Sequence, residues 1–216
     1  MAWNGWPKFL RDFLVIQFGF LLFGIAIDIM VQANLGTSPW VVFEVALTRY
    51  LPITLGQATI VVAFVIILID WALKQPLGWG TAANMLSIGL WVDWVKPLVP
   101  SVQDNLLLQI PYLLLGVATM GLATAVYVGV NAGAGPRDSL MLAISRLAGI
   151  SVRAARTILE VVVVTAGWLL GGPVGLGTLI FALTVGPSVQ LSFRLLKVRP
   201  MGVRGIPSGL APADEP

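Results

Sequence analysis

Mostly apolar runs of seventeen or more residues recur along this chain, and that recurrence constrains the fold more than any other feature. They cover 13–31, 55–73, 106–130, 154–170 and 178–196, with a weaker run at 81–99 that carries Asn84 and Asp93. Each is long enough to cross a hydrocarbon layer of about 30 Å as a helix. A backbone amide in a bilayer finds no partner except its own helix, so runs of this length specify an all-α polytopic membrane protein. Composition agrees: 57% of the 216 residues are hydrophobic and 11% charged. The first run exceeds a signal-peptide core and lacks a small-x-small cleavage site, so it reads as the first span.

Two helices are interrupted in the same way. NLGTSP at 34–39 and NAGAGP at 131–136 both spell N-x-G-x-x-P, ninety-seven residues apart. Shifting the chain by that interval aligns 19–96 with 116–193 without a gap, with 21 identities in 78 pairs. Identities fall on demanding positions: Gly24 with Gly121, Gly36 with Gly133, Pro39 with Pro136, and P-x-G-x-G-T at 76–81 with the same pattern at 173–178. The chain is a duplication, with repeats at 13–99 and 100–199, a short N-terminal segment at 1–12 and a tail at 200–216 expected to be disordered.

Each copy reads as three transmembrane helices plus one short re-entrant or interfacial helix, 39–50 or 136–148, too short to cross. An odd number of spans inverts the second copy. Charge agrees, because this topology puts 11 of the 13 basic residues on the cytoplasmic side and leaves only Arg49 and Lys96 outside. Both termini are then cytoplasmic. Fully crossing short helices would instead give eight spans and parallel repeats.

Inverted repeats with broken helices are a recurring transporter plan, with the site at the repeat interface. Candidate site residues therefore flank the two breaks: Asn34, Gly36, Asn131, Gly133, Arg137 and Asp138. Short-helix N-termini favour anions, and Arg137 reinforces that expectation. The competing reading is that the asparagines cap carbonyls and the glycines permit tight turns; Arg137 and Asp138 would then neutralise each other. Thr81 and Thr178 read as N-caps of the third spans. Asp28, well inside the first span, shares with Gln32 a ridge from Gly24 to Gly36 that is expected to pack inward near the repeat axis. Arg156 and Glu160, at i and i+4, are either a surface ion pair or part of a gate beside Arg137. Asp70 with Lys74, and Asp93 with Lys96, read as interfacial anchors beside Trp71, Trp91 and Trp94.

LGTSPW at 35–40, PLGWGT at 76–81, AGAGPRDSLM at 132–141, the Arg156/Glu160 pair and GWLLGGPVGLGT at 167–178 carry a family resemblance. With them the chain resembles the bacterial YczE/YyaS-type integral membrane proteins, and more distantly the YitT type. Trp79 and the alanines after Thr81 depart from that pattern. The resemblance implies fold and a bacterial cytoplasmic-membrane location far more than an activity.

The expected function is a small secondary transporter or permease for a small, anionic solute. The alternative is a non-transporting scaffold supporting a partner enzyme or complex. Without histidine or cysteine the usual metal and nucleophile constellations cannot be assembled, so no enzyme, cofactor or metal is expected. Topology accounts for the basic residues, leaving no case for nucleic acid. The expected partners are the lipid bilayer, a small solute and a second copy of the chain.

Overall fold

The computed structural model describes residues 5–103 and 105–198, and among these the only regular structure is helical. The helices are α1 (Trp6–Gln32), α2 (Pro39–Leu47), α3 (Leu55–Ala72), α4 (Trp79–Val95), α5 (Leu106–Val128), α6 (Pro136–Ala148), α7 (Val152–Leu169) and α8 (Leu176–Leu195). The tail from 200 and the basic residues Arg199 and Arg204 lie outside the described residues. By length and composition α1, α3, α5 and α8 are able to cross a membrane. α4 has seventeen residues, and α7 carries Arg153, Arg156 and Glu160 in its first half.

Local chemistry sets the boundaries. Pro39 and Pro136 open α2 and α6, where the missing N–H costs nothing. Thr54 and Gln57 form a reciprocal capping box on α3. Ser151 caps α7 by accepting from the Ala154 amide, and Gly149 stops α6 with φ 65°. Asn34 and Asn131 adopt left-handed conformations, φ 54° and 56°, just beyond α1 and α5. The left-handed turn ends each long helix, and the Asn131 side chain donates to Gly129 O at 3.4 Å. Two expectations are corrected. α2 ends at Leu47, three residues early. Gly78 and Gly175, not Thr81 and Thr178, occupy the N-cap positions; each threonine lies in the first turn and accepts a hydrogen bond from that glycine's amide.

The helices sort into two bundles that ignore the division between chain halves. α1, α4, α5 and α8 pack together, with α1 on α5 at the centre. α2, α3, α6 and α7 form the second group, in which α2 packs on α7 and α3 on α6. The buried apolar clusters follow the same division. The larger is built mainly from α1, α4, α5 and α8 around Phe20, Met30, Val92, Leu113 and Phe181. The smaller holds Val62, Ile66 and Leu140, flanked by Trp40, Phe43 and Leu159. All four crossings between bundles occur at the two N-x-G-x-x-P breaks and the two P-x-G-x-G-T turns.

Each break docks on the turn of the other repeat. Leu35 O accepts from Gly177 N at 2.6 Å, and its repeat equivalent Ala132 O accepts from Gly80 N at 3.1 Å. Gly36 has φ 96°, and a methyl group there would lie 2.6 Å from the Gly175 nitrogen. Only glycine meets both conditions. The ridge glycines also pair equivalently, Gly24 against Trp91 of α4 and Gly121 against Ser188 of α8. The ridge face of α1 does pack inward, with Gly24 and Asp28 buried, and its neighbour at Gly24 is α4, as α8 is at Gly121.

One equivalence fails. α3 lies along α4, with Gly56 and Gly89 in backbone contact. Among the described residues α7 has no comparable contact with α8, and Gly186, the equivalent of Gly89, meets nothing. A methyl group on Gly89 would collide with the Gly56 oxygen. Gly89→Ala should therefore cost about 1–3 kcal/mol of stability, while Gly186→Ala should be neutral or stabilising by up to about 1 kcal/mol. Thermal unfolding in detergent micelles checks both; equal losses would contradict the asymmetry.

Candidate functional site between the two bundles

A cavity of about 190 Å³ lies between the bundles, and all eight helices contribute to its lining. Most of the lining residues form repeat pairs: Phe23 and Met120, Ile27 and Thr124, Pro39 and Pro136, Trp40 and Arg137, Thr59 and Arg156, Ala63 and Glu160. The cavity is therefore built by equivalent positions of both repeats. The N-terminal turns of α2 and α6 both reach it, as the broken-helix pattern predicts.

The paired positions differ in chemistry. Where the first repeat has Trp40, Thr59 and Ala63, the second has Arg137, Arg156 and Glu160. Charge is thereby concentrated on the α6 and α7 side. Glu44 of α2 is fully buried behind the cavity. Its carboxylate accepts from the Arg137 guanidinium and, at 2.9 Å, from the Thr59 hydroxyl. Arg137 also lies 5.0 Å from the centroid of the Trp40 ring. This cluster ties α2, α3 and α6 together across the two repeats. A buried carboxylate held by a hydroxyl and a guanidinium is compensated; stripped of its charged partner it is costly.

Two further pairs complete the polar wall. The Tyr127 hydroxyl donates to Asp138 Oδ2 at 2.7 Å, which joins α5 of one bundle to α6 of the other. Arg156 Nε donates to Glu160 Oε1 at 2.8 Å along α7. Arg137 and Asp138 thus do not neutralise each other; their side chains take separate partners. Arg156 and Glu160 form the i,i+4 ion pair that one sequence reading expected, and both also line the cavity.

Of the residues proposed from sequence, Arg137, Asp138, Arg156 and Glu160 come together at this cavity. Asp28, Gln32, Asn34, Gly36, Asn131 and Gly133 do not line it. Asp28 is buried one turn before the end of α1, not in mid-span, with Lys96 and Asp93 acting on it electrostatically. Gln32 accepts from Gln103 Nε2 at 3.5 Å. Asp70 is fully buried in the second bundle and makes no ion pair with Lys74 among the described residues, which corrects its reading as an interfacial anchor. Asp93 accepts from Thr54 Oγ1 at 2.5 Å and Gly56 N at 3.0 Å, fastening α4 to the start of α3. Trp91 turns inward to donate to Gln17 at 3.1 Å. Glu44 was missed as a site residue, although a signal existed: it is the only charge in PWVVFEVAL, and the repeat pairs it with Met141.

Fold and site together define a multi-pass α-helical membrane protein whose two halves share a central cavity. The chain belongs to the family described as a family of unknown function, DUF6198, which matches residues 10–194. It is 31% identical over 192 residues to an "uncharacterized protein" of Haemophilus influenzae, covering 88% of this chain and 87% of the relative. It is 33% identical over 175 residues to the "uncharacterized membrane protein YczE" of Bacillus subtilis, covering 80% of each. To YyaS of the same organism it is 26% identical over 167 residues, 75% of this chain and 82% of the relative. The YczE/YyaS resemblance read from the motifs is therefore correct. No solved structure matches the chain.

The buried pair makes an ordered prediction. Arg137→Gln strands the fully buried Glu44 and should cost about 3–5 kcal/mol. Glu44→Gln leaves a partly exposed guanidinium and should cost less. The double variant should recover most of the larger loss, as read by thermal unfolding in detergent.

Proposed function

We propose that the protein is a small secondary transporter of the cytoplasmic membrane. In this account a small solute is moved by rocking one bundle against the other around the central cavity. Six helices span, α2 and α6 are re-entrant, the repeats are inverted, and both termini are cytoplasmic. Glycine contacts between α1 and α5 support inversion: Gly19 meets Tyr127 while Gly116 meets Met30, the pattern of equivalent helices running in opposite directions.

The one-sided closure between the bundles carries the reading. At the outer end, as this topology has it, Gly56 meets Gly89 and Thr54 donates to Asp93. Their repeat equivalents are Arg153 with Gly186 and Ser151 with Gln190. These lie at the cytoplasmic end, where a methyl group on Gly186 would meet open space and Ser151 and Gln190 are exposed. A duplicated chain closed at one end and open at the other matches one of two exchangeable states. Exchanging the conformations of the repeats would close α7 on α8 and open α3 from α4. A scaffold needs neither the cavity nor this exchange.

The natural absence of cysteine makes the test direct. Ser151→Cys with Gln190→Cys should cross-link under oxidation in membranes. Ala63→Cys in the cavity should react with an impermeant thiol reagent from the cytoplasmic side, and from the outer side once that cross-link is set. No cross-link, with Ala63→Cys labelled from one side only, would overturn alternating access.

A further inference from the structure

We infer that the central cavity recognises a small organic cation carrying an apolar group, with Asp138 as the residue that holds the charge. This rests on the transporter reading only for the cavity being solvent-accessible. The expectation of an anion depended on Arg137, and the structure commits that side chain elsewhere. Both guanidiniums at the cavity already have a carboxylate: Arg137 has Glu44, and Arg156 has Glu160. A ligand anion that drew Arg137 away would leave Glu44 buried and unpaired, which is strongly unfavourable.

Asp138 is the carboxylate left over. Its hydrogen-bond partner is the neutral Tyr127 hydroxyl. Two guanidiniums against three carboxylates leave one negative charge uncompensated, and the α6 N-terminus contributes only about half a positive charge against it. The surroundings suit a cation. Phe23, Trp40, Tyr127 and Phe181 line the same space, and aromatic faces attract cations while accepting apolar groups.

The polar groups at the cavity gather beside Gly135. A methyl group on that residue would lie 3.4 Å from Asp138 Oδ2, 3.4 Å from the Asn84 side-chain nitrogen and 3.6 Å from the Tyr127 oxygen. Three polar side chains thus converge on a residue without one, and its φ of −61° is open to any residue. The cavity's 190 Å³ admits a ligand somewhat larger than benzene, which an apolar cavity of about 150 Å³ holds.

Isothermal titration of the full chain in detergent tests this, with benzyltrimethylammonium as a permanent cation and benzenesulfonate as an anion of similar size. Saturable binding of the cation, and much weaker binding of the anion, is expected. Asp138→Asn preserves an acceptor for Tyr127 and should weaken the cation at least about tenfold. Gly135→Ala, whose methyl group fits at ordinary contact distance, should also weaken it while thermal unfolding stays near wild type. Arg156→Gln, which removes a positive charge, should leave cation binding equal or tighter. Tighter binding of benzenesulfonate, no saturable cation binding, or indifference to Asp138→Asn would each overturn the assignment. Those results would not touch the cross-linking outcome, so a wrong substrate class is distinguishable from a wrong mechanism.

Discussion

A helix broken inside an apolar layer leaves amides and carbonyls that lipid cannot satisfy, and the rest of this structure follows from how that problem is met. Leu35 O takes the amide of Gly177, and Ala132 O takes the amide of Gly80. Each repeat thereby satisfies the interrupted backbone of the other. Reciprocity forces the halves to interleave, so neither can bury its own break. It also places both short-helix N-termini at one central point, where the cavity forms. The glycines at 36, 78, 80, 133, 175 and 177 are the steric condition for that approach, because backbone lies where their side chains would be.

Interleaving explains why the packing units are not the sequence repeats. Each bundle takes two helices from each half, and the chain crosses between bundles only at breaks and turns. The crossings are short and anchored by backbone hydrogen bonds, whereas contact between bundles away from them rests mainly on α3 and α4. That distribution suits relative motion of two rigid bodies. Duplication set up a symmetric cavity; later divergence gave one wall its charge and left the other aromatic and apolar.

Much of this was legible in the chain. Apolar run length revealed the helices, and the ninety-seven-residue shift revealed the duplication. Proline at 39 and 136 marked the short helices because its chemistry is local. Arg137, Asp138, Arg156 and Glu160 were found because charge beside apolar sequence is costly and therefore conspicuous. What sequence did not reveal is pairing. Glu44 was one charge on a short apolar helix, with nothing in the chain to show that α6 brings Arg137 to it. Asp28 was read as well inside the span, yet both the apolar run ending at residue 31 and the helix ending at Gln32 place it within about one turn of the far end. The glycine ridges were real, but a stripe on one helix does not say which neighbour it meets.

The central claim is that equivalent positions of the two repeats lie on opposite faces of the membrane. Leu51 and Ala148 are such a pair, both exposed, Leu51 just beyond α2 and Ala148 at the end of α6. Single cysteines at these two positions, labelled in intact cells and in inverted vesicles with an impermeant thiol reagent, test it most directly. The account predicts that Leu51→Cys reacts from outside and Ala148→Cys from the cytoplasmic side. Reaction of both from the same side would make the repeats parallel and remove the basis for a two-state central site.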